Sequence, residues 1–144
     1  MNRGYFGLAL INTKTETNYG TLLRSALLFD CAFVIVAGKR FEKQASDTIK
    51  SHRHMPIIEC SLDNLFEHVP YGCIPIAVEC LDSARDLRTF SHPERAVYIL
   101  GPEDGSIPEK VLKRCPIHIR IMTERSLNLA VAGSIVMYDR NNRR

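Results

Sequence analysis

The sequence predicts an α/β fold, a mostly parallel sheet flanked by helices, and three observations carry that prediction. Short β-rich runs alternate with helical patterns from end to end, the order of elements that builds parallel sheets. Runs such as Phe33-Val-Ile-Val36 and Val97-Tyr-Ile-Leu100 are continuously apolar, as strands covered on both faces must be. The last helical stretch is apolar on every side, with only Asn128 and Ser134 polar between Leu127 and Met137. A helix of that kind needs cover all round, which implies a second subunit or an unusual wrapping of the chain.

The first strand is expected from Tyr5 to Ile11, followed by a helix from Asn18 to Asp30. Asn18 suits an N-cap, and Leu22, Leu23, Ala26, Leu27 and Phe29 make a core-facing stripe. Arg24 points nearly opposite that stripe, with Leu28 beside it. Gly20 costs about 1 kcal/mol relative to Ala so early in a helix, unless another chain or a ligand must approach closely there. A second strand is expected from Ala32 to Ala37, a helix from Glu42 to Ser51 and a third strand from Pro56 to Cys60. Ser61 is a plausible cap for a helix ending at His68. Strands from Ile74 to Glu79 and from Ala96 to Leu100 precede a short helix from Pro108 to Lys113, where proline fits the first turn. A last strand from His118 to Ile121 leads into a helix from Leu127 to Asp139, and the polar tail Arg140-Asn-Asn-Arg-Arg144 is expected to fray.

At 144 residues the chain reads as one domain, large enough to bury a core. Its apolar content of 45% and charged content of 24% exclude disordered and fibrous classes. A net charge of +3 and a pI near 8.7 permit a nucleic-acid partner without demanding one. Cysteines at 31, 60, 73, 80 and 115 form no C-x-x-C pair and have no histidine at ligand spacing, so neither zinc nor a disulfide framework is indicated and reduced thiols are expected. His52 and His54 are two apart and would not share a helix face, so no metal pair is read there. The opening apolar run is short for a signal peptide and nothing reaches transmembrane length. A cytoplasmic protein without membrane contact is therefore expected.

Three constellations carry chemistry. The first is Asn18-Tyr-Gly20-Thr-Leu-Leu-Arg24, with an arginine on the exposed side of the first helix. The second is Leu100-Gly-Pro-Glu-Asp-Gly-Ser-Ile-Pro108, a buried strand entering a Gly/Pro-rich turn. Ligands sit at the carboxyl ends of strands in open α/β sheets, and this turn can bring bare backbone up to a flat heterocycle. It lacks the Gly-Lys-Ser/Thr ending of a P-loop. The third is Ser126-Leu-Asn128-Leu-Ala-Val-Ala, where an amide stands among apolar residues and needs partners. A capping serine and an asparagine held by neighbouring loops would explain it as well as a ligand would.

Taken together, in this order and spacing, the motifs resemble the SpoU/TrmH branch of the SPOUT RNA methyltransferases, over roughly residues 5 to 140. The resemblance implies a C-terminal deep trefoil knot, a homodimer, and S-adenosyl-L-methionine held mainly by backbone groups. It maps the cofactor loops to Val78, Glu79 and Cys80, to Leu100, Gly101, Pro102 and Glu103, and to Ile121, Met122, Ser126, Leu127 and Asn128. It implies ribose 2′-O-methylation of tRNA or rRNA, with Arg24 as the key catalytic side chain and Asn18 and Asn128 orienting. A guanidinium holds its proton too tightly for a general base, so Arg24 is expected to grip a phosphate and stabilise a developing alkoxide. Lys39, Arg40, Lys50 and Arg53, with Arg24, are the expected RNA contacts, joined by His52, His54, Arg3 and Lys14. No separate RNA-binding domain is seen, so the catalytic dimer itself must recognise RNA.

The chain departs from the family pattern at two places. Ser106 stands where the family usually has glycine, with Gly105 one position earlier, and Met122 follows Ile121 where the family usually has proline. These departures motivate a rival reading, a non-catalytic knotted RNA-binding or assembly protein with a degraded cofactor site. A flavodoxin-like small-molecule domain is the reading left if the motif match is accidental.

Overall fold

The structure is a computed structural model and describes residues 4–40 and 53–143. The helix expected from Glu42 to Ser51, together with Lys50, His52 and Arg3, lies outside the described residues. The elements are β1 (Tyr5–Ile11), α1 (Glu16–Leu28), β2 (Phe33–Ala37), β3 (Ile57–Cys60), β4 (Ile74–Val78), β5 (Arg85–Asp86), β6 (Arg95–Leu100), α2 (Glu109–Leu112), β7 (Ile117–Arg120) and α3 (Leu129–Arg143). Among the described residues they build a seven-stranded sheet in the order β3-β2-β1-β6-β4-β7-β5, parallel at every pairing.

Each expected strand forms, because alternate residues feed two apolar layers. Leu8, Leu10, Tyr98 and Leu100 face α1 and α3, in a core shared with Leu22, Ala26, Val136 and Met137. Ala9, Ile11, Val97 and Ile99 face the other way, towards Leu65, Ile107 and Val111. Strand β5 has no signal in the sequence. It is two polar residues, Arg85 and Asp86, paired with Ile119 and Arg120.

Several local expectations are corrected. Helix α1 begins at Glu16 after Thr15, so Asn18 is not its cap but lies inside its first turn. The segment Leu62–His68 is a 3-10 helix, and Ser61 precedes it without a side-chain cap bond. Helix α3 starts at Leu129, with Ser126 and Leu127 left in the preceding loop. The tail continues α3 through Arg143 instead of fraying. Arg140 is only 1% exposed, and its Nη1 and Nη2 donate to the Pro93 carbonyl at 2.7 Å, the Glu94 carbonyl at 2.8 Å and the Tyr98 hydroxyl at 3.1 Å. Arg143 Nη2 donates to the Leu87 carbonyl at 2.6 Å. Two arginines thus take the place of an apolar cap at the lower end of the helix, satisfying carbonyls that the chain turns inward.

Helices α1 and α3 lie close because Gly133 permits it. A Cβ on Gly133 would stand 2.6 Å from Leu22 Cδ1 and 3.1 Å from Leu100 Cδ1, and both leucines are sealed in the core. Gly133→Val is therefore expected to cost about 1–3 kcal/mol through overpacking, read as a lowered urea midpoint with an unchanged slope. An unchanged midpoint would show that the two helices can separate freely.

The far side of α3 is not covered in the protomer, although the sequence placed apolar residues all round it. Val131 is 47% exposed and Tyr138 60%, with Ile135 between them, and Leu28 at the end of α1 is 71% exposed. The Phe29 and Tyr138 rings meet edge to face at 6.4 Å, which joins the two helices into one apolar patch.

Candidate functional site

A cavity of about 320 Å³ opens at the carboxyl ends of β4, β6 and β7. The location follows from the topology. Strands β1 and β6 are neighbours from which the chain proceeds to opposite sheet edges, and ligands occupy the crevice outside strand ends near such a switch. Its walls are the segments that follow the three strands. Val78, Glu79 and Cys80 come from the first, Leu100, Gly101, Pro102 and Glu103 from the second, and Ile121, Ser126 and Leu127 from the third. The family resemblance had mapped all of these. Met122 and Asn128 do not line the cavity, and Met122 is 48% exposed.

Gly105, Ser106, Arg120, Thr123, Leu129 and Ala132 also line it, beyond the residues that the resemblance mapped. Gly105 and Ser106 were readable, since they close the turn already singled out. Arg120 was hidden, because a cation ending a strand looks like a solvated terminus. Its Nη1 instead reaches the Leu81 carbonyl at 3.3 Å and Asp82 at 3.6 Å.

The wall is stapled by its own acids. Glu79 accepts a hydrogen bond from the Ile107 amide at 2.8 Å, tying the turn after β6 to the end of β4. Its own amide donates to the Ile119 carbonyl at 3.0 Å. Glu103 accepts from the Lys14 amide at 2.9 Å, while its Oε1 is buried with no hydrogen-bond partner. Leaving a carboxylate oxygen so placed is costly, and that is a usual sign of a site completed by something else. Apolar Leu100, Ile121, Leu127 and Leu129 face these groups, so the cavity suits a ligand with a flat apolar part and a few polar edges.

Asn128 and Asn18 are brought together from opposite ends of the chain. Asn128 is exposed in the protomer rather than buried. Its Oδ1 accepts from the amides of Ala130 at 2.9 Å and Val131 at 3.3 Å, capping α3, and its Nδ2 donates to Asn18 Oδ1 at 2.9 Å. One amide therefore starts the last helix and locks it to the first. Arg24 is exposed on α1, outside the cavity wall, with no partner among the described residues.

The expected RNA cations differ in their surroundings. Lys39 pairs with Glu59 at 2.9 Å. Arg40 makes a two-armed pair with Asp104. Arg53 is exposed without a partner among the described residues. All five cysteines are free thiols, and burial pushes Cys31 up to about 12 and Cys115 to about 11, so neither supplies a thiolate at neutral pH. Among the described residues no group of His, Cys, Asp and Glu could hold a metal ion, and no helix is long and apolar enough to cross a membrane.

Comparison with known proteins agrees with this architecture. The chain is 24% identical over 133 residues to the Mus musculus protein "tRNA (guanosine(18)-2'-O)-methyltransferase TARBP1", covering 85% of this chain and 8% of that protein. It is 28% identical over 144 residues to an "Uncharacterized tRNA/rRNA methyltransferase" of Archaeoglobus fulgidus, covering 94% and 63%. It thus spans less than two thirds of the length of either curated relative. The structure is similar to the AdoMet-bound rRNA methyltransferase of Sinorhizobium meliloti, with a TM-score of 0.85 at 23% identity over 96% of this chain and 56% of that one, a likeness that establishes the shared parallel α/β fold. The model of the SpoU rRNA Methylase family matches residues 5–138, and on that match the chain belongs to this family, the SpoU/TrmH branch of the SPOUT RNA methyltransferases.

Proposed function

We propose that this chain is an S-adenosylmethionine-dependent RNA 2′-O-methyltransferase that acts as a homodimer on tRNA or rRNA. The observation that carries the proposal is the cavity at the ends of β4, β6 and β7, walled by the residues that the family motifs single out. Its chemistry fits the cofactor: apolar side chains for the adenine, bare backbone at Gly101 and Gly105, and the sealed Glu103 Oε1 in want of a donor. The name of the mouse relative supports the 2′-O assignment, and the AdoMet-bound relative supports the cofactor.

The strand order favours a knotted C-terminal segment. β7 lies between β4 and β5, both earlier in the chain, so the segment after β6 has to pass the connection between them. The exposed patch of Leu28, Val131, Ile135 and Tyr138 is the proposed dimer face, since an uncovered apolar surface of this kind marks an interface. Arg24 stands one turn before Leu28 on the same helix face, which places it at the border of that interface.

When bound, S-adenosylmethionine supplies a methyl group on a sulfonium, open to attack by a ribose hydroxyl. Arg24 would grip the phosphate beside the target ribose and stabilise the oxygen as its charge develops. The proton leaves to that phosphate or to a water, because the guanidinium cannot accept it. The Asn18–Asn128 pair holds the first turn of α1 against the loop that walls the cavity, orienting Arg24's helix relative to the methyl donor.

Calorimetric titration with S-adenosylmethionine, followed by methyl incorporation from labelled cofactor into fractionated cellular RNA and mapping of the modified position, tests this reading. Saturable binding and label at a ribose oxygen are the expected results. Absence of binding would favour the non-catalytic alternative. Of the departures behind that alternative, Met122 lies off the cavity wall and only Ser106 faces it.

A further inference from the structure

Arg40 was expected to meet RNA, yet its guanidinium is already engaged within the protein. Its Nη2 and Nη1 donate to the two carboxylate oxygens of Asp104 at 2.6 and 3.1 Å, and its Nε donates to the Asn12 carbonyl at 2.7 Å. The Arg40 amide also donates to the Thr13 carbonyl at 3.0 Å. Lys14 adds its ammonium to Asp104 at 3.7 Å and its amide to Glu103 at 2.9 Å. Side chains and backbone of three segments, those after β1, β2 and β6, therefore converge on the turn that supplies Gly101, Pro102, Glu103, Gly105 and Ser106 to the cavity wall.

The backbone is shaped for this arrangement. Asn12 has φ of 51° and Gly38 φ of 71°, and a Cβ on Gly38 would collide with Asn12 Oδ1. The two left-handed residues thus nest against each other and turn the Arg40 side chain back across the end of β1. Paired with Arg40, the Asp104 carboxyl is held below the usual carboxylate range. A half-exposed ion pair adds little stability by itself. What a bidentate guanidinium adds is geometry, here imposed on a Gly-containing turn that would otherwise sample many shapes.

We propose that Arg40 is a positioning residue: braced against Asp104 and the Asn12 carbonyl, it holds the Gly101 to Ile107 turn in its ligand-binding shape, so that cofactor affinity and not RNA affinity depends on it. This rests on the reading that the cavity takes S-adenosylmethionine. A preorganised loop binds more tightly because less ordering remains to be done on binding.

The test is a double-mutant cycle of Arg40→Gln and Asp104→Asn, with Arg40→Lys as the conservative variant. S-adenosylhomocysteine affinity is measured by calorimetry, bulk tRNA affinity by filter binding at fixed salt, and amide exchange at residues 105–107 in the free protein. Each single variant is expected to weaken S-adenosylhomocysteine binding by about 3- to 10-fold, the double variant no further, and Arg40→Lys by less. Exchange at 105–107 should quicken in both singles, with tRNA affinity unchanged. The opposite assignment has its own signature: if Arg40 contacts phosphate, Arg40→Gln weakens tRNA binding while Asp104→Asn, which frees the guanidinium, strengthens it. That result, or unchanged cofactor affinity and exchange, overturns the proposal. A wild-type chain that binds no S-adenosylhomocysteine would defeat the cofactor reading instead, and the brace would then stand or fall on the exchange rates alone.

Discussion

Replacing Arg24 by alanine is expected to reduce methyl transfer by about 10²- to 10³-fold while leaving S-adenosylmethionine affinity within about twofold of wild type. The two halves of that expectation come from different observations. Arg24 is exposed on α1 and contributes nothing to the cavity wall, so cofactor binding has no reason to change. It also has no hydrogen-bond or ion-pair partner among the described residues, so the fold does not use its charge. A long cation left free beside an uncovered apolar patch is suited to a group that arrives with the substrate or the second subunit. Arg24→Lys should recover part of the rate, since the charge remains while the two-armed grip is lost. Single-turnover rates with saturating cofactor separate the chemical step from binding. Normal turnover by Arg24→Ala would remove this residue from the mechanism.

Arg140→Met is expected to destabilise the protein by about 3–5 kcal/mol, a larger loss of stability than Gly133→Val brings. The guanidinium is sealed, and it supplies the hydrogen bonds to the Pro93 and Glu94 carbonyls and to the Tyr98 hydroxyl. Methionine fills the volume beside the Phe6 and Tyr98 rings, which the guanidinium now overlies, but takes from the Pro93 and Glu94 carbonyls and the Tyr98 hydroxyl the hydrogen bond that each receives from Arg140. Chemical denaturation at neutral pH measures the loss. A change under about 1 kcal/mol would mean that water replaces the arginine.

The same network makes stability sensitive to acid. The Asp139 carboxylate accepts, so His92 Nε2–H donates to it at 2.6 Å, and in the neutral ring the Tyr98 hydroxyl, whose oxygen also accepts from Arg140, donates to Nδ1 at 2.6 Å. Burial lowers the His92 pKa below the ordinary 6.5, outweighing the opposing pull of Asp139, and Arg140 and Arg143 lower it further. Above pH 6.5 both folded and unfolded chains carry neutral histidine, and this group adds no pH dependence. Below 6.5 the unfolded chain takes up a proton that the folded chain refuses, so stability falls until the pH passes the folded pKa. His92→Gln should flatten the decline in that window.

The central strands were legible because runs such as Phe33–Ala37 and Val97 to Leu100 are continuously apolar, a pattern that burial on both faces imposes. The cavity residues were legible through their motif order, since backbone recognition demands particular small and turn-forming residues at fixed places. Neither signal reaches the cations. Arg24, Arg40, Arg120 and Arg140 look alike in the sequence, and in the structure they are respectively without a partner among the described residues, braced against Asp104, set into the cavity wall and buried. The same limit explains the misplaced Asn18 cap: its amide is claimed by Asn128, a partner 110 positions away.

Hydrophobic periodicity, which depends on near neighbours, was enough to predict the α/β class and six of the seven strands, while the three loops were mapped by the family resemblance of the motifs. Tertiary structure alone decided the strand order that inserts β7 beside β4, the two-residue strand β5 and the employment of each arginine. Charge pairing and register are set by contacts between residues far apart in the chain, and a local pattern carries no record of which distant group a side chain will meet.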